Sequence, residues 1–465
     1  MIECYPHAFY FQEVGESGEK CECLLFDGKT DLTKVMIQRI DGKMVQGTAM
    51  EEHITMVGQP GDRFLGHLAP SGRDAVTISD AIFDFVVDNG YEEELEVVGG
   101  DSTVTNTGHK GGIINLIEKK KGRRLLIVVC NLHCNELPLR HLIKARDIHT
   151  LSNNKFGGPI GELIGGDVEK MAFNPHFKRI KNDGPKLPAL PPDVVKDLSN
   201  DQQYGFRLAS IIVGGEVDAN LLTLKPGPIS HARWLTTANR FMRIYVGKHG
   251  LTGKEKKDLT LIVTFIVTCY YVIWFDIKCH PTTVAAPGIV FKQMQIVKHH
   301  LPKAVQEVVK SRVADSAWYA HPEHLLLHLL ASQDEENRRF AVKKILEIRG
   351  DSEFGDTSPR PFKVPPLNWS AKTVRDMIIW TGATEPIFTA AMTCDQVRAH
   401  LDAPFVMKAF PAHTQSVERM VKEVSAASSN VFGLERRNGY VHARLHAREV
   451  APDVTVKAGF LPMLS

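Results

Sequence analysis

The clearest pattern of apolar and polar positions in this chain predicts two buried strands joined by a short helix. Residues 95–98 are mainly apolar and read as a short strand, which a pair of glycines leads into a turn. Residues 108–121 have the spacing of an amphipathic helix, closed by Gly122. Residues 125–129 are all apolar, which is typical of a central strand covered on both faces.

Polar residues follow each of these two strands. Asp101 comes directly after the first strand, and Cys130 and His133 come directly after the second. In open α/β sheets, the edge at the carboxyl ends of the strands usually carries the binding and catalytic residues. We therefore expect chemistry at this edge.

Upstream, alternating residues predict antiparallel strands. Residues 20–26 read as the first strand, which ends at Asp27, and residues 34–40 read as the next. Asp41-Gly42 is a hairpin turn signal, and residues 43–68 supply one or two further strands. A helix capped by Ser71 follows; its apolar face and its terminal residues are Ile78, Ile82, Phe85, Val86 and Asn89-Gly90.

The resulting order is three strands, helix, strand, helix, strand, which is the ribonuclease-H-like arrangement. Metalloenzymes with this arrangement that process nucleic acid place carboxylates on the first and fourth strands. Asp27 and Asp101 occupy those places, and Asp31 is the alternative on the first strand. Element order alone is shared by many α/β folds. Turn-capping aspartates at the strand ends are therefore the simpler interpretation.

The composition changes after residue 140, and the chain is predicted to form two domains from three segments. Residues 1–146 form the first part of the sheet domain, residues 147–400 form a mainly helical insertion, and residues 401–465 return to the sheet domain. Within the insertion, residues 259–275 carry no charge. The length of this segment is at the lower limit for a membrane-spanning helix. The threonines in this segment favour a helix buried in a helical domain, so no membrane partner is expected.

Composition limits the classes of protein to consider. The chain has 465 residues, a formal charge of +2, 43% hydrophobic and 24% charged residues, as in an ordinary soluble protein. Eight cysteines without a signal peptide predict free thiols in a reducing intracellular compartment. No Cys/His pairs stand at zinc-finger spacing after Cys21 and Cys23, which argues against a structural zinc site.

The last strong helical pattern begins at His413 and carries an acidic residue on its flank. Glu418 lies near the amino end, beside an apolar stripe. From periodicity alone, Glu418 is a solvated surface glutamate. The stripe consists of Val417, Met420, Val421, Val424 and Ala427.

Four short motifs carry a resemblance to a known family. The chain resembles the catalytic part of hAT-type DNA transposases, and more closely a group of transposon-derived animal proteins that contain all four motifs. The motifs are Asp27-Gly28-Lys29, DSTVTNTG at 101–108, LHCNELPLRH at 132–141 and HTQSVER at 413–419.

Three further features of hAT transposases have counterparts here. Cys130 and His133 match a C-x-x-H motif that follows the second acid. Arg233-Trp234 matches an Arg-Trp motif carried by an all-helical insertion, and Glu418 matches the last acid, on a helix after that insertion.

The resemblance implies that Asp27, Asp101 and Glu418 bind two Mg²⁺ ions, for which Mn²⁺ can substitute, and cleave phosphodiester bonds. Trp234 would stack on a base turned out of the duplex, and Arg233 would neutralise a phosphate. Cys130 and His133 are expected to brace the site as a buried thiol and a hydrogen-bonded histidine.

We expect DNA and a second copy of the chain as partners. We expect a nuclear rather than a cytoplasmic location. The chain departs from the family in three ways: it has no amino-terminal BED-type zinc finger, Leu235-Thr236 replaces the usual Asn-Ser, and little sequence follows Glu418. The alternatives are therefore a domesticated, inactive DNA-binding or scaffolding protein, or a phosphodiesterase unrelated to transposition.

Overall fold

The computed structural model describes residues 20–147, 150–152, 155–217, 221, 224, 226–227, 234–350, 362–380 and 392–449. It is a mixed α/β protein with one five-stranded mixed sheet. The chain divides into two compact units, which we call the sheet unit (residues 1–127 and 414–465) and the helical unit (residues 128–413). The sequence placed the domain boundaries at 146 and 400, so the helical unit begins earlier and ends later than those positions.

The sheet has the strand order β3-β2-β1-β4-β5. β1 pairs with β2 in antiparallel fashion along its whole length, β2 pairs with β3 in the same way, and β1 pairs with β4 in parallel. The strands are β1 (Cys23–Gln38), β2 (Met44–Gln59), β3 (Arg63–Leu68), β4 (Val97–Gly100) and β5 (Leu126–Val129), and the helices among them are α1 (Ala75–Asp88), α2 (Val104–Thr107) and α3 (Ile113–Lys121).

The predicted order of elements is present, but one strand prediction is wrong. The strands predicted at 20–26 and 34–40 are parts of one long strand, β1 (Cys23–Gln38), so Asp27 lies within β1, opposite Thr55, and does not end it. Gly28, which follows the predicted end of the first strand, lies within β1 as well. A Cβ at Gly28 would lie 2.9 Å from the side chain of Ile54, so this glycine admits a close neighbour on β2.

Other local predictions are mostly confirmed. Gly42 takes the positive φ of a hairpin turn, and Gly122 ends α3 in the left-handed conformation. The predicted N-cap of α1, Ser71, is wrong. The Asp74 carboxylate caps the helix by accepting a hydrogen bond from the Thr77 N–H. The predicted apolar face of α1 is buried: Ile78, Ile82, Phe85 and Val86.

The helical unit is built around one long apolar helix. Residues 253–279 form a 27-residue helix that is apolar enough to cross a membrane by length and composition, yet 83% of its most apolar window is buried inside the protein. The predicted buried helix is therefore confirmed. A π-helical turn at Ile266–Tyr270 divides it.

The helices of this unit are α4 (Asn131–Asp147), α5 (Pro159–Gly165), α6 (Pro192–Asp197), α7 (Asn200–Ile212), α8 (Trp234–Tyr245), α9 (Gly253–Phe265), α10 (Tyr271–Cys279), α11 (Ala286–His299), α12 (Lys303–Asp315), α13 (Pro322–Leu330), α14 (Glu335–Arg349) and α15 (Cys394–Ala399), with a small hairpin of β6 (Thr150–Ser152) and β7 (Lys155–Phe156).

Two last helices complete the sheet unit. They are α16 (Gln415–Asn430), which packs on β1 and β2, and α17 (Leu434–Glu449), which packs on α16 and β3. The predicted apolar stripe of α16 is buried at Val417, Val421, Val424 and Ala427. Burial of this stripe turns the flank of α16 that carries Glu418 towards the sheet.

Candidate functional site: a carboxylate cluster of the sheet unit

Two aspartates lie side by side on neighbouring parallel strands. β1 and β4 pair with Cys23 opposite Val97 and Leu25 opposite Gly99. Continuing this register by two residues brings Asp27 opposite Asp101. Adjacent strands are about 4.8 Å apart, and residues opposite each other point to the same face of a sheet. The pairing of these two strands therefore brings the two carboxylates together.

Asp101 is held by the loop that follows β4. Its Oδ1 accepts a hydrogen bond from the Thr103 N–H at 3.0 Å and another from Asn106 Nδ2 at 2.7 Å. This loop is tightly packed, since a Cβ at Gly112 would lie 2.4 Å from the Gly108 nitrogen. The DSTVTNTG motif thus has a physical reason: it orients the Asp101 carboxylate by an Asx turn and a side-chain amide.

The charges of three other carboxylates act on Asp27. Burial, together with the negative charges of Asp101, Glu418 and Glu52, raises the pKa of Asp27 to about 7, against a backbone hydrogen bond from Gly28 that lowers it. That hydrogen bond, from the Gly28 N–H to Asp27 Oδ1, is 2.8 Å long. Glu418 of α16 therefore lies near enough to Asp27 for their charges to interact.

Glu52 is a further carboxylate that sequence reasoning missed, and its charge is the weakest of the three that raise the pKa of Asp27. It lies on β2 opposite Thr30 and accepts a hydrogen bond of 2.5 Å from the Thr30 hydroxyl. Arg73 Nε lies 3.5 Å from the same carboxylate. Only the pairing of β1 with β2 brings Glu52 near Asp27, and no local motif reports that pairing.

Asp31, the alternative acid of β1, is used elsewhere. Lys29 Nζ lies 2.7 Å from Asp31 Oδ1, and the Ser425 hydroxyl of α16 donates to Asp31 Oδ2 at 2.6 Å. Lys29 also donates to the Ser425 hydroxyl at 2.8 Å. This triad ties α16 to β1, so Lys29 and Asp31 help to hold the helix that carries Glu418.

The cluster suits a hard divalent cation by its chemistry, because clustered carboxylates repel one another until a cation is bound. Its geometry is more open. Among the described residues, no three His, Cys, Asp or Glu side chains converge closely enough to hold a metal ion together. Asp27, Asp101 and Glu418 thus share an electrostatic environment without forming a closed set of ligands.

The other predicted site residues belong to the helical unit, and all of them except Arg233 are among the described residues. Cys130 is a buried thiol directly after β5, and His133 is half-buried in the first turn of α4. Trp234 is only 7% exposed, and the Arg140 guanidinium lies 5.8 Å from the centre of its ring. Its expected role in base stacking requires an exposed ring, so this packing gives it no open face for a base. Arg233 lies outside the described residues.

Comparisons with protein-family models, with curated proteins and with solved structures find no match for this chain.

Proposed function

We propose that this chain is the catalytic region of a hAT-like DNA transposase, which cleaves phosphodiester bonds and transfers strands at DNA ends with Mg²⁺. The observation that carries the proposal is that the register of β1 and β4 brings Asp27 beside Asp101, while the charges of Asp101 and of Glu418 on α16 both act on Asp27. Sequence motifs spread over most of the chain point to these three acids, and the effect of Asp101 and Glu418 on the pKa of Asp27 supports the proposal.

The fold supports the same proposal at a coarser level. The strand order makes β1 and β4 neighbours, as expected of a ribonuclease-H-like sheet that carries acids on its first and fourth strands. The helical unit lies between the two stretches of the sheet unit in the sequence, as expected of a helical insertion.

The roles of the residues follow from their positions. Asp27 and Asp101 would bind Mg²⁺ from the sheet, and Glu418 would bind it from α16. Mg²⁺ held by these residues would supply the chemistry that activates a water or a 3′-hydroxyl and stabilises a leaving oxygen. Thr103 and Asn106 keep the Asp101 carboxylate oriented, and the Gly28 N–H does the same for Asp27. Because the pKa of Asp27 is raised to about 7, cation binding at neutral pH would also release a proton.

A second candidate, an inactive DNA-binding or scaffolding protein, is favoured by the burial of Trp234 under Arg140. A protein of this kind would keep the fold and bind DNA, but would neither turn out a base nor cut.

Nicking of supercoiled DNA separates the candidates. We expect the wild-type protein to nick with Mg²⁺ or Mn²⁺ and not in EDTA. Replacing an outer-shell partner of a metal typically costs about 10–100-fold in activity, so Asp101→Asn should cost more than ~100-fold. Asp84→Asn, an exposed aspartate on α1, is the matched control and should nick like wild type.

Three outcomes would count against the leading proposal. Equal nicking by wild type and Asp101→Asn would identify a contaminating nuclease. Loss of nicking in Asp84→Asn would show that the assay responds to general damage. DNA binding without divalent-dependent nicking would favour the inactive protein.

A further inference from the structure

Strands β1 and β2 extend well beyond the rest of the sheet. In the described part of the chain, β4 pairs with β1 at residues 23–25, and β3 pairs with β2 at residues 54–58. The other parts of the two long strands, residues 29–38 and 44–53, pair with each other and end in a hairpin turn. We call this two-stranded extension the ribbon. Among the described residues, no third strand pairs with either edge of the ribbon.

Hydrogen bonds show which backbone groups of the ribbon point outwards. The Arg39 N–H donates to the Lys43 carbonyl at 2.9 Å, so these two residues form a hydrogen-bonded pair across the ribbon. Such pairs alternate with pairs whose backbone groups face away from the partner strand. The same alternation holds at the start of β1, where the Glu22 carbonyl accepts from the Val97 N–H of β4. The even-numbered residues between 44 and 52 therefore turn their N–H and C=O groups to the outer edge of β2.

The two edges of the ribbon differ in how they are protected. Lys29, Asp31 and Lys34 place charges along β1, and Arg437 donates to the outward carbonyl of Lys34 at 2.9 Å. On β2, residues 44–50 (MVQGTAM) contain no charge and no proline. Charges and prolines are the usual means of keeping an edge strand from pairing with another chain. The edge of β2 is therefore the one that is open to a further strand.

One face of the ribbon is apolar and exposed. Leu32 and Met50 lie opposite each other, and each is 58% exposed. Met36 and Met44 lie on the same face, because side chains at alternate positions of a strand point the same way, and they are 48% and 53% exposed. The helix α16 packs on the other face. Contiguous exposed apolar side chains of this kind often mark an interaction surface.

We propose that a second copy of this chain pairs with the edge of β2, so that two ribbons form one four-stranded sheet. The sequence of β2 is complementary to itself when two copies run antiparallel about a two-fold axis at Gly47. In that register Met44 lies opposite Met50 of the second copy. Gln46 lies opposite Thr48 of the second copy, and the axis repeats both pairs.

Charge complementarity favours this register over its neighbours. Lys43 is exposed and lies opposite Glu51 of the second copy. The Glu51 side chain lies 3.1 Å from Arg437 and is still 31% exposed, so a second cation can approach it. Moving the axis by one residue in either direction removes the pair of Lys43 with Glu51, and one of the two shifts sets Asp41 opposite Glu51. Like charges that lie directly opposite each other destabilise a sheet.

The same register joins the apolar faces of the two ribbons. Leu32 and Met50 of one copy and Met44 of the other form a row across the strands, and the axis makes a second, identical row. The backbone groups on the edge of β2 gain partners at the same time. An interface limited to one pair of strands is small, so we expect a transient dimer with a Kd in the micromolar range.

Sedimentation of the full chain at increasing micromolar concentrations gives the first test. We expect a reversible equilibrium between monomer and dimer. A single monomeric species over the whole range would overturn the proposal, and this result needs no variant. Far-ultraviolet circular dichroism and thermal melting accompany each variant described next, so that weaker association is read from folded protein.

A charge exchange tests both the edge and the register. Gln46→Lys with Thr48→Lys sets like charges opposite each other at two symmetric places, so it should weaken the dimer by about tenfold or more. Gln46→Glu with Thr48→Glu should do the same. Both positions are exposed, and their outward backbone groups are not needed within the ribbon. Gln38→Lys, at an exposed position on the edge of β1, is the matched control and should associate like wild type.

Mixing the two double variants in equal amounts should restore the dimer, because opposite charges then face each other at both places. Full association of either double variant alone would show that the copies meet at another surface and would overturn the proposal. A mixture that stays monomeric while wild type associates would also overturn it. None of these measurements depends on DNA cleavage, so they test this proposal separately from the proposed catalytic function.

Discussion

Two carboxyl groups of the sheet unit have a pKa near 7, and they reach it for different reasons. Burial raises the pKa of Glu118 on α3 to about 7, while a backbone hydrogen bond from Leu125 and the charge of Arg124 oppose the rise. Burial also raises the pKa of Asp27, but there the charges of Asp101 and Glu418 add to the rise. Glu118 is surrounded by groups that favour its ionised form, whereas Asp27 is surrounded by groups of its own sign.

The difference shows which kind of perturbed group indicates a site. A single buried carboxylate such as Glu118, 1% exposed and bonded to the Leu125 N–H at 2.9 Å, helps to connect a helix to the following strand. Several carboxylates brought together from distant parts of the chain oppose folding until a cation binds. A raised pKa is therefore informative only together with its cause.

The largest expected effect is on DNA cleavage. Asp27→Asn should reduce divalent-dependent nicking by more than ~100-fold, because it removes an expected metal ligand. Glu118→Gln should leave nicking within a few-fold of wild type, since the pKa of Glu118 reflects burial and no neighbouring acid contributes to it. The comparison would fail if both variants lost activity equally while remaining folded by circular dichroism.

The next effect is on the pH dependence of stability. The folded pKa of Glu118 is about 7 against an ordinary 4.5, so its contribution to stability is fully present below pH 4.5 and is lost as the pH rises through 7. The loss amounts to about 3 kcal/mol for a shift of this size. Glu118→Gln cannot ionise, so thermal melting from pH 5 to pH 8 should fall by several degrees less in this variant than in wild type. Parallel curves for the two proteins would contradict this interpretation.

Cation binding should distinguish Asp27 from Glu118 by a smaller effect, a change in melting temperature. A ligand that binds only the folded state stabilises it by about 1.4 kcal/mol at a concentration of about ten times its Kd. We expect Mg²⁺ or Mn²⁺ to raise the melting temperature of wild type and of Glu118→Gln, and not that of Asp27→Asn. An equal rise in all three proteins would place the cation somewhere other than the carboxylate cluster.

The sequence predicted the parts of this comparison that depend on local pattern. The position of Asp101 after a short apolar strand and the buried stripe beside Glu418 follow from periodicity, because periodicity reports which side of an element is buried. The extended conformation of Asp27 could not be predicted, because Gly28 looks the same whether it forms a turn or admits Ile54.

Contacts between distant segments account for the rest. The charge of Glu52 acts on Asp27, and His53, Thr55 and His67 come together, only through the register of β2 with β1 and β3. A shift of one residue in that register would turn all of these side chains to the other face. Cross-strand register is set by the whole sheet, so no short motif reveals it.

The smallest predicted effect concerns how Glu418 is held near Asp27. The Ser425 hydroxyl donates to Asp31 and accepts from Lys29, so Ser425→Ala should destabilise the sheet unit by about 1 kcal/mol, the usual net value of a hydrogen bond. Ser429→Ala, an exposed serine on the same helix, is the control and should change stability less. If α16 positions Glu418, Ser425→Ala should also weaken the Mg²⁺-dependent rise in melting temperature, whereas Glu118→Gln should preserve it. An unchanged rise in the melting temperature of Ser425→Ala would show that the carboxylate cluster forms without this anchor. The comparison of Asp27 with Glu118 would then depend on Asp101 and the loop that holds it.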